Sequence, residues 1–438
     1  MNKTYEEVNL YISTLGCKVN QSESNAIANY LINQGATLTD EIKANIIIVN
    51  SCAVTVQAAS KTRHELRRLR KANTTALLIF MGCYVEQNEI EEDIFELADV
   101  LIGTSNKEII YDVINEYFCS DSQIDFKDLS KKKRYGFSEL IGVADSNRTR
   151  AQVRIQDGCE NYCTYCIIPY LRGPERSRKK ENIIEEIMSL EKIGYKEIVL
   201  TGIHLGSYGN DFDFDYDLSA LLKDLLIHTK IPRIRLSSIE PNEITEELVE
   251  LFKNHDRLMS HLHIPLQSGS DKILKKMNRK YTTNEYRELI KMLRQNIEGI
   301  AITTDLIIGF PGETNKDFED IYNYVKDINF SQMHVFRYSK REGTAAASMP
   351  DQVDGNISKE RSKKIRELEK IMSESYTSNM LGETYNVLIE QKINSSEFFG
   401  HSENYAKVIV QQENLITNKI YKVKIISNSP YSVKGVMV

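Results

Sequence analysis

Three cysteines stand within eight residues of the stretch "DGCENYCTYC", at Cys159, Cys163 and Cys166, and no fourth follows nearby. Thiolates so closely spaced are ligands for soft metals. A closed structural zinc site would need a fourth Cys or His, which His204 or His263 would have to supply through space. The same spacing lets three thiolates hold three corners of a cuboidal iron–sulfur cluster and leave one iron open. An open coordination position is what reactive metal sites keep and structural sites close. A second set is dispersed: Cys17, Cys52 and Cys83 stand singly, 35 and 31 residues apart. The seventh cysteine, Cys119, ends a helical pattern and reads as a bystander. An odd count in a chain with no secretory leader pattern points to metal or redox chemistry, not to a disulfide framework.

The elements around these residues give the dispersed set a meaning. Apolar, β-rich runs occur at "VNLYISTLG" (8–16), "ANIIIVNS" (44–51), "ALLIFMG" (76–82) and "DVLIGT" (99–104), separated by helical stretches. That rhythm predicts a doubly wound parallel sheet. Each of Cys17, Cys52 and Cys83 follows one of the first three runs. Open α/β sheets bind ligands at the carboxyl ends of their strands, so these thiols are expected to meet at one edge. A second series of strands begins at Arg150 and recurs near residues 197, 233, 262, 300 and 333. Six β/α units predict an incomplete barrel whose carboxyl rim is the active face. The strand-end residues there include Thr201–Gly202, Ser237–Ser238, Gln267 and the Gly309–Gly312 turn. After a charged helix the texture changes to short β-rich segments, which predict a small closed β-barrel. The expected organisation is a domain over 1–120, a linker over 121–147, a barrel over 148–375 and a terminal β-barrel over 376–438.

With 438 residues, 41% apolar and 27% charged, the chain has the composition of a globular, multidomain protein. No window reaches the roughly 18 apolar residues that span a bilayer, so a cytoplasmic protein with no membrane partner is expected. A formal charge of −6 speaks against indiscriminate binding of DNA or RNA, yet basic runs occur at Lys61–Lys71, Lys131–Arg134 and Arg172–Lys180.

Cys-x3-Cys-x2-Cys after the first strand of an incomplete barrel resembles the radical S-adenosylmethionine superfamily. The resemblance implies that this cofactor completes the coordination of the open iron. Further motifs are "LGCKVNQSES", "NSCAVT", "GCYVEQ", "LTGIHLGSYG", "LSSIEP", "HIPLQSGSDKILKKMNRKY", "TDLIIGFPGET" and "FRYSKREGTAA". Together they resemble the methylthiotransferases. That resemblance implies two 4Fe–4S clusters, one on Cys159, Cys163 and Cys166 and an auxiliary one on Cys17, Cys52 and Cys83, with a C-terminal TRAM barrel that contacts RNA. It assigns Tyr165, Thr201, Gly202, Ser238 and Gln267 to S-adenosylmethionine. Arg279 is assigned to cofactor or substrate, with a plain solvent-facing helix end as the alternative. An external one-electron donor is implied, because the chain carries no flavin or nicotinamide fingerprint.

Within the family, "LGCKVNQSES" and "NSCAVT" look most like the branch acting on N6-threonylcarbamoyladenosine at position 37 of tRNA, in the anticodon stem-loop. The other branches act on isopentenyladenosine in tRNA or on an aspartate of a ribosomal protein. A threonylcarbamoyl group carries a carboxylate, and basic groups near the cysteines suit it better than they suit an isopentenyl tail. On this reading Arg172, Arg176, Arg178 and the 61–71 helix meet the anticodon-loop backbone. The reading from another class is a non-catalytic metal-cluster RNA-binding protein built from the same cysteines.

Overall fold

The computed structural model describes residues 8–53, 56–87, 92–104, 107–119, 128–129, 137 and 149–438. The basic run Lys131–Arg134 and nearly all of the expected linker lie outside the described residues. Contacts divide the chain into two compact units. The first comprises 1–145, 152–160 and 166–186, and the second 146–151, 161–165 and 187–438.

The first unit opens with β1 (Asn9–Thr14), α1 (Lys18–Asn33), β2 (Thr37–Leu38), β3 (Ile46–Ser51) and α2 (Val56–Ala72). It continues with β4 (Leu77–Gly82), α3 (Glu92–Leu97), β5 (Val100–Ile102) and α4 (Ile109–Cys119). The strands pair in the order β2-β1-β3-β4-β5, every neighbouring pair parallel. Both faces are covered, as uninterrupted apolar runs such as "IIIV" demand. Ile46 and Ile48 of β3 pack with Ile27 and Leu31 of α1 and with Ile110 and Ile114 of α4. Their neighbours Ile47 and Val49 pack on the opposite face with Leu66 and Leu69 of α2. Each such fully buried side chain stabilises the fold by about 1.5–3 kcal/mol. The sheet is doubly wound, and its order reverses between β1 and β3, so the crevice at the carboxyl ends of those two strands is the switch point.

The same unit holds a short ribbon of β7 (Gln156–Asp157) and β8 (Arg176–Ser177), which follows β6 (Arg150–Arg154) and flanks the short α5 (Ile168–Arg172). Gln156 pairs antiparallel with Ser177 and Asp157 with Arg176. This two-rung ladder closes the base of the segment that carries Cys159, Cys163 and Cys166.

The second unit is an incomplete (β/α)6 barrel followed by a closed five-stranded barrel. After α6 (Lys180–Ile193) come β9 (Glu197–Thr201), α7 (Leu218–His228), β10 (Arg233–Leu236), α8 (Glu246–Asn254) and β11 (His261–His263). Then follow α9 (Asp271–Lys276), α10 (Thr283–Asn296), β12 (Ala301–Ile308), α11 (Asn315–Ile328), β13 (Gln332–Arg337) and α12 (Gly355–Ser378). Within this unit β9 pairs parallel with β10, and β11, β12 and β13 form a parallel three-stranded sheet in that order. Single parallel bridges, Ile234 to Leu258 and Ser238 to His263, join them. The last element series is β14 (Thr384–Lys392), β15 (Glu397–Ser402), β16 (Lys407–Gln411), β17 (Ile420–Ser429) and β18 (Ser432–Met437). They close in the order β14-β15-β16-β18-β17 around Val387, Ile389, Phe398, Val408, Val423 and Val433. Among the described residues no helix is long and apolar enough to cross a membrane.

Candidate functional site

In the first unit Cys17, Cys52 and Cys83 come together at the carboxyl ends of β1, β3 and β4. Cys17 is the N-cap of α1, exposed, while Cys52 and Cys83 are buried. The backbone of Gly16 lies directly over Cys52: a Cβ on Gly16 would stand 2.6 Å from the Cys52 Cβ and 3.0 Å from its Sγ. The Cys83 amide donates to the carbonyl of Ser51, the residue before Cys52, at 3.2 Å. Asn20 fixes the junction by donating to the carbonyls of Leu15 (3.0 Å) and Ser51 (2.8 Å). Its Oδ1 faces the Cys17 thiol at 3.5 Å. The positive end of α1 thus opens on the thiol group, a favourable setting for an anionic cluster. Burial pushes the Cys83 thiol up to about 11, with the Arg172 and Lys107 cations opposing it.

Beside these thiols lies a buried ionic network, entirely within the first unit. Arg172 Nη1 donates to Asp157 Oδ1 (2.8 Å) and Glu23 Oε1 (3.1 Å), and Nη2 donates to Asn20 Oδ1 (3.0 Å). Lys107 pairs with Glu23, Arg154 reaches both carboxylates, and Arg176 Nη2 lies 3.2 Å from Asp157. Burial alone would raise Glu23, but Lys107, Arg172 and Arg154 outweigh it and bring the carboxyl down to about 2. Asp157 is likewise held well below the ordinary carboxylate range, burial being outweighed by Arg172, Arg154 and Arg176.

This overturns one sequence expectation. Arg172, Arg176 and Arg178 are 2%, 6% and 1% exposed, with Arg178 paired to Glu186, so they do not form an RNA-facing surface. Part of the basic α2 is also committed internally. Arg70 donates to the Leu97 and Ala76 carbonyls and pairs with Asp99, and Arg68 pairs with Glu65 and Glu41.

The loop with Cys159, Cys163 and Cys166 leaves all three thiols half-buried. At its start the Cys159 amide donates to the Gly173 carbonyl at 3.2 Å. Gly158 has φ +79°, and a Cβ there would lie 1.9 Å from the Pro174 carbonyl oxygen. Gly158→Ala is therefore expected to cost on the order of 3 kcal/mol and to lower iron retention. Thermal melting and iron analysis would check this, and a variant with wild-type values on both counts would refute it.

In the second unit Arg279 is brought to Cys163. Its Nη1 donates to the Sγ at 3.3 Å, its Nε to the Tyr281 hydroxyl at 3.1 Å, and its Nη2 pairs with Glu240. The side chain is 3% exposed, so the solvent-facing alternative is excluded. Burial raises the Glu240 carboxyl above its ordinary range even against Arg279. Tyr165 packs against Ile273, Met277, Phe310 and Ala346. Thr201 is buried at the end of β9, next to Gly202, and Ser238 is exposed at the β10–β11 junction. Gln267 adopts φ +62° and bridges to Leu306 of β12. All five mark carboxyl ends of strands or the cysteine loop, as expected of an active rim. His204 bonds Asn161 at 3.0 Å and pairs with Glu243, whereas His263 bonds Thr303 at 3.0 Å and lies 3.3 Å from Asp305. Sequence reasoning passed over Glu23, Asp157, Lys107, Arg154 and Asn20. They fall in three separate segments, 20–23, 107 and 154–157, and nothing in a single sequence brings those segments together.

At the opposite, amino ends of β9 and β10, Glu197 lies between Arg233 and Arg235, with Arg235 Nε donating at 2.9 Å. The two arginines reach on into the terminal barrel, to the carbonyls of Asn386 (2.6 Å), His401 (3.2 Å), Glu403 (3.2 Å) and Ser402 (3.4 Å).

Comparison with known proteins agrees with this geometry. Residues 153–325 match the family described as Radical SAM superfamily, and residues 9–103 match Uncharacterized protein family UPF0004. The chain is 39% identical over 426 residues to the threonylcarbamoyladenosine tRNA methylthiotransferase MtaB of Bacillus subtilis strain 168, covering 96% of this chain and 94% of that protein. It is 36% identical over 445 residues to the tRNA-2-methylthio-N(6)-dimethylallyladenosine synthase of Thermoanaerobacter sp. strain X514, covering 98% and 93%. Among solved structures, the radical S-adenosylmethionine methyltransferase TsrM from Kitasatospora setae shares the fold. Its TM-score is 0.58 at 12% identity, over 78% of this chain and 77% of that one. The superfamily match implies S-adenosylmethionine and a 4Fe–4S cluster as cofactors. With such identity sustained over nearly the full length, the chain belongs to the radical S-adenosylmethionine methylthiotransferases, enzymes that transfer a methylthio group.

Proposed function

We propose that the protein attaches a methylthio group to C2 of N6-threonylcarbamoyladenosine at position 37 of tRNA, using two 4Fe–4S clusters and S-adenosylmethionine. One observation carries the two-cluster chemistry: a second set of three cysteines meets at the switch point of the N-terminal sheet. The relative from Bacillus subtilis supports the choice of nucleoside.

The residues suit the groups they would hold. Cys17, Cys52 and Cys83 offer three soft ligands beside the buried cations Arg172 and Lys107, a setting that suits an anionic cluster. Cys159, Cys163 and Cys166 would hold the second cluster, with S-adenosylmethionine at its open position. Bound there, the pair supplies a one-electron cleavage and a carbon radical able to act at an aromatic C–H bond, which offers no leaving group. Arg279 places a fixed cation against Cys163, and Glu240 holds that guanidinium in place. Tyr165, Thr201, Gly202, Ser238 and Gln267 line the rim on which the cofactor would lie. The electron comes from an external donor.

The terminal barrel would contact tRNA through shape and hydrogen bonding, since from Tyr376 onward its six Lys face five Glu. It attaches at the amino ends of β9 and β10, the end opposite the rim, so its grip falls on tRNA away from the target base.

The test is mass spectrometry of tRNA nucleosides. Expression in a bacterium stripped of its own methylthiotransferases is expected to convert threonylcarbamoyladenosine to its 2-methylthio form and to leave dimethylallyladenosine unchanged. Conversion of dimethylallyladenosine alone would overturn the substrate assignment in favour of the activity named in the Thermoanaerobacter relative.

A further inference from the structure

Lys107, Arg154, Arg172 and Arg176 gather around the buried carboxylates of Glu23 and Asp157. Within this group Arg172 is 2% exposed and Lys107 3%. A buried donor left without an acceptor is expensive, so it marks a place where an acceptor is to be bound. Arg172 shows where. Nη1 and Nη2 are shared among Asp157, Glu23 and Asn20, but among the described residues its buried Nε–H has no hydrogen-bond partner. The same Asn20 Oδ1 that accepts from Arg172 faces the Cys17 thiol, and Arg172 interacts electrostatically with both Cys83 and Cys17.

We propose that Arg172 is the positioning cation of the N-terminal cluster: its charge and its unshared Nε–H act on the sulfur ligands at Cys17 and Cys83 and set how firmly that cluster is held and at what potential it is reduced. N–H donors and positive charge beside sulfur favour the more negative, reduced state of an iron–sulfur centre. Glu23 works in the opposite sense, partly neutralising the cation. Asp157 and Arg172 also flank the loop of Cys159, Cys163 and Cys166, two residues before its first cysteine and six after its last. The network therefore ties the segment bearing the second cysteine set to the helix that begins at the first. The inference rests on the proposed auxiliary cluster, and its test separates the two.

The test uses the full chain with Cys159, Cys163 and Cys166 changed to alanine, so that only the N-terminal site can be loaded. Iron content and the reduction midpoint, followed by electron paramagnetic resonance, are compared with and without further substitutions. Arg172→Gln is expected to lower the midpoint and speed loss of iron to a chelator. Arg172→Lys, which keeps the charge without the planar donor, should fall between. Glu23→Gln should raise the midpoint. Should either Arg172 variant fail to fold by circular dichroism, Glu23→Gln still decides the matter. A loaded cluster whose midpoint is unmoved by these changes overturns the role of Arg172 alone. A parent protein that takes up no iron overturns the auxiliary cluster, and this inference with it.

Discussion

Changing Cys17, Cys52 and Cys83 together to alanine is expected to abolish the methylthiolated nucleoside while cleavage of S-adenosylmethionine to 5′-deoxyadenosine continues. Product formation should fall by about a thousand-fold or more, the scale seen when a step loses the group it depends on. Iron should drop from about eight to about four atoms per chain, the content of one cluster in place of two. The fold should survive, because each change removes only a sulfur atom, at a cost of about 1 kcal/mol for a buried site. Cys17 is exposed in any case. The counterpart variant, with Cys159, Cys163 and Cys166 changed, should lose cofactor cleavage and product alike. Anaerobic assays that follow both products in the same tube separate these outcomes. Undiminished methylthiolation by the first variant would mean that the N-terminal thiols hold no working cluster, and the sulfur would have to arrive by another route.

The contrast between the two cysteine sets explains how far sequence could reach. The loop set is legible by spacing alone. The dispersed set is legible only through the sheet: apolar runs predicted β1, β3, β4 and β5, and strand-end placement predicted that the thiols meet. Strand order was the missing piece, because a two-residue strand such as β2 leaves no periodic trace, yet it determines that the switch point falls between β1 and β3. The ribbon of β7 and β8 escaped for the same reason, with two residues a side. The basic run at Arg172–Lys180 misled more deeply. Lys and Arg are mostly exposed in proteins, and a cluster of them reads as surface. Here three of the arginines are buried because Glu23, Asp157 and Glu186 receive them, and two of those acids lie on other segments of the chain. Pattern reports a residue's neighbours along the chain. Charge pairing depends on neighbours in space, which only the fold supplies.

The largest effect on stability is expected at a site that touches neither cysteine set. Glu197 is fully buried at the start of β9, between the guanidinium groups of Arg233 and Arg235. Burial raises its carboxyl, but Arg235 and Arg233 outweigh it and keep the group below its ordinary value. Glu197→Ala removes the carboxylate that both buried arginines share, a change that costs about 3–5 kcal/mol. For a unit of this size the melting temperature should fall by about 10 °C. Glu197→Gln, which keeps the shape and one acceptor, should lose less. The same arginines reach carbonyls of the terminal barrel, so the damage should spread there, and hydrogen exchange at Asn386 to Ile389 and Gly400 to Glu403 should accelerate before the (β/α)6 barrel itself loosens. Acid supplies an independent check. A carboxyl whose folded value is depressed contributes stability above its unfolded value near 4.5 and loses it as pH falls through the folded value. Wild type and Glu197→Ala should therefore converge in stability on acidification, and a gap that stayed constant down to low pH would show that Glu197 acts by packing, not by charge.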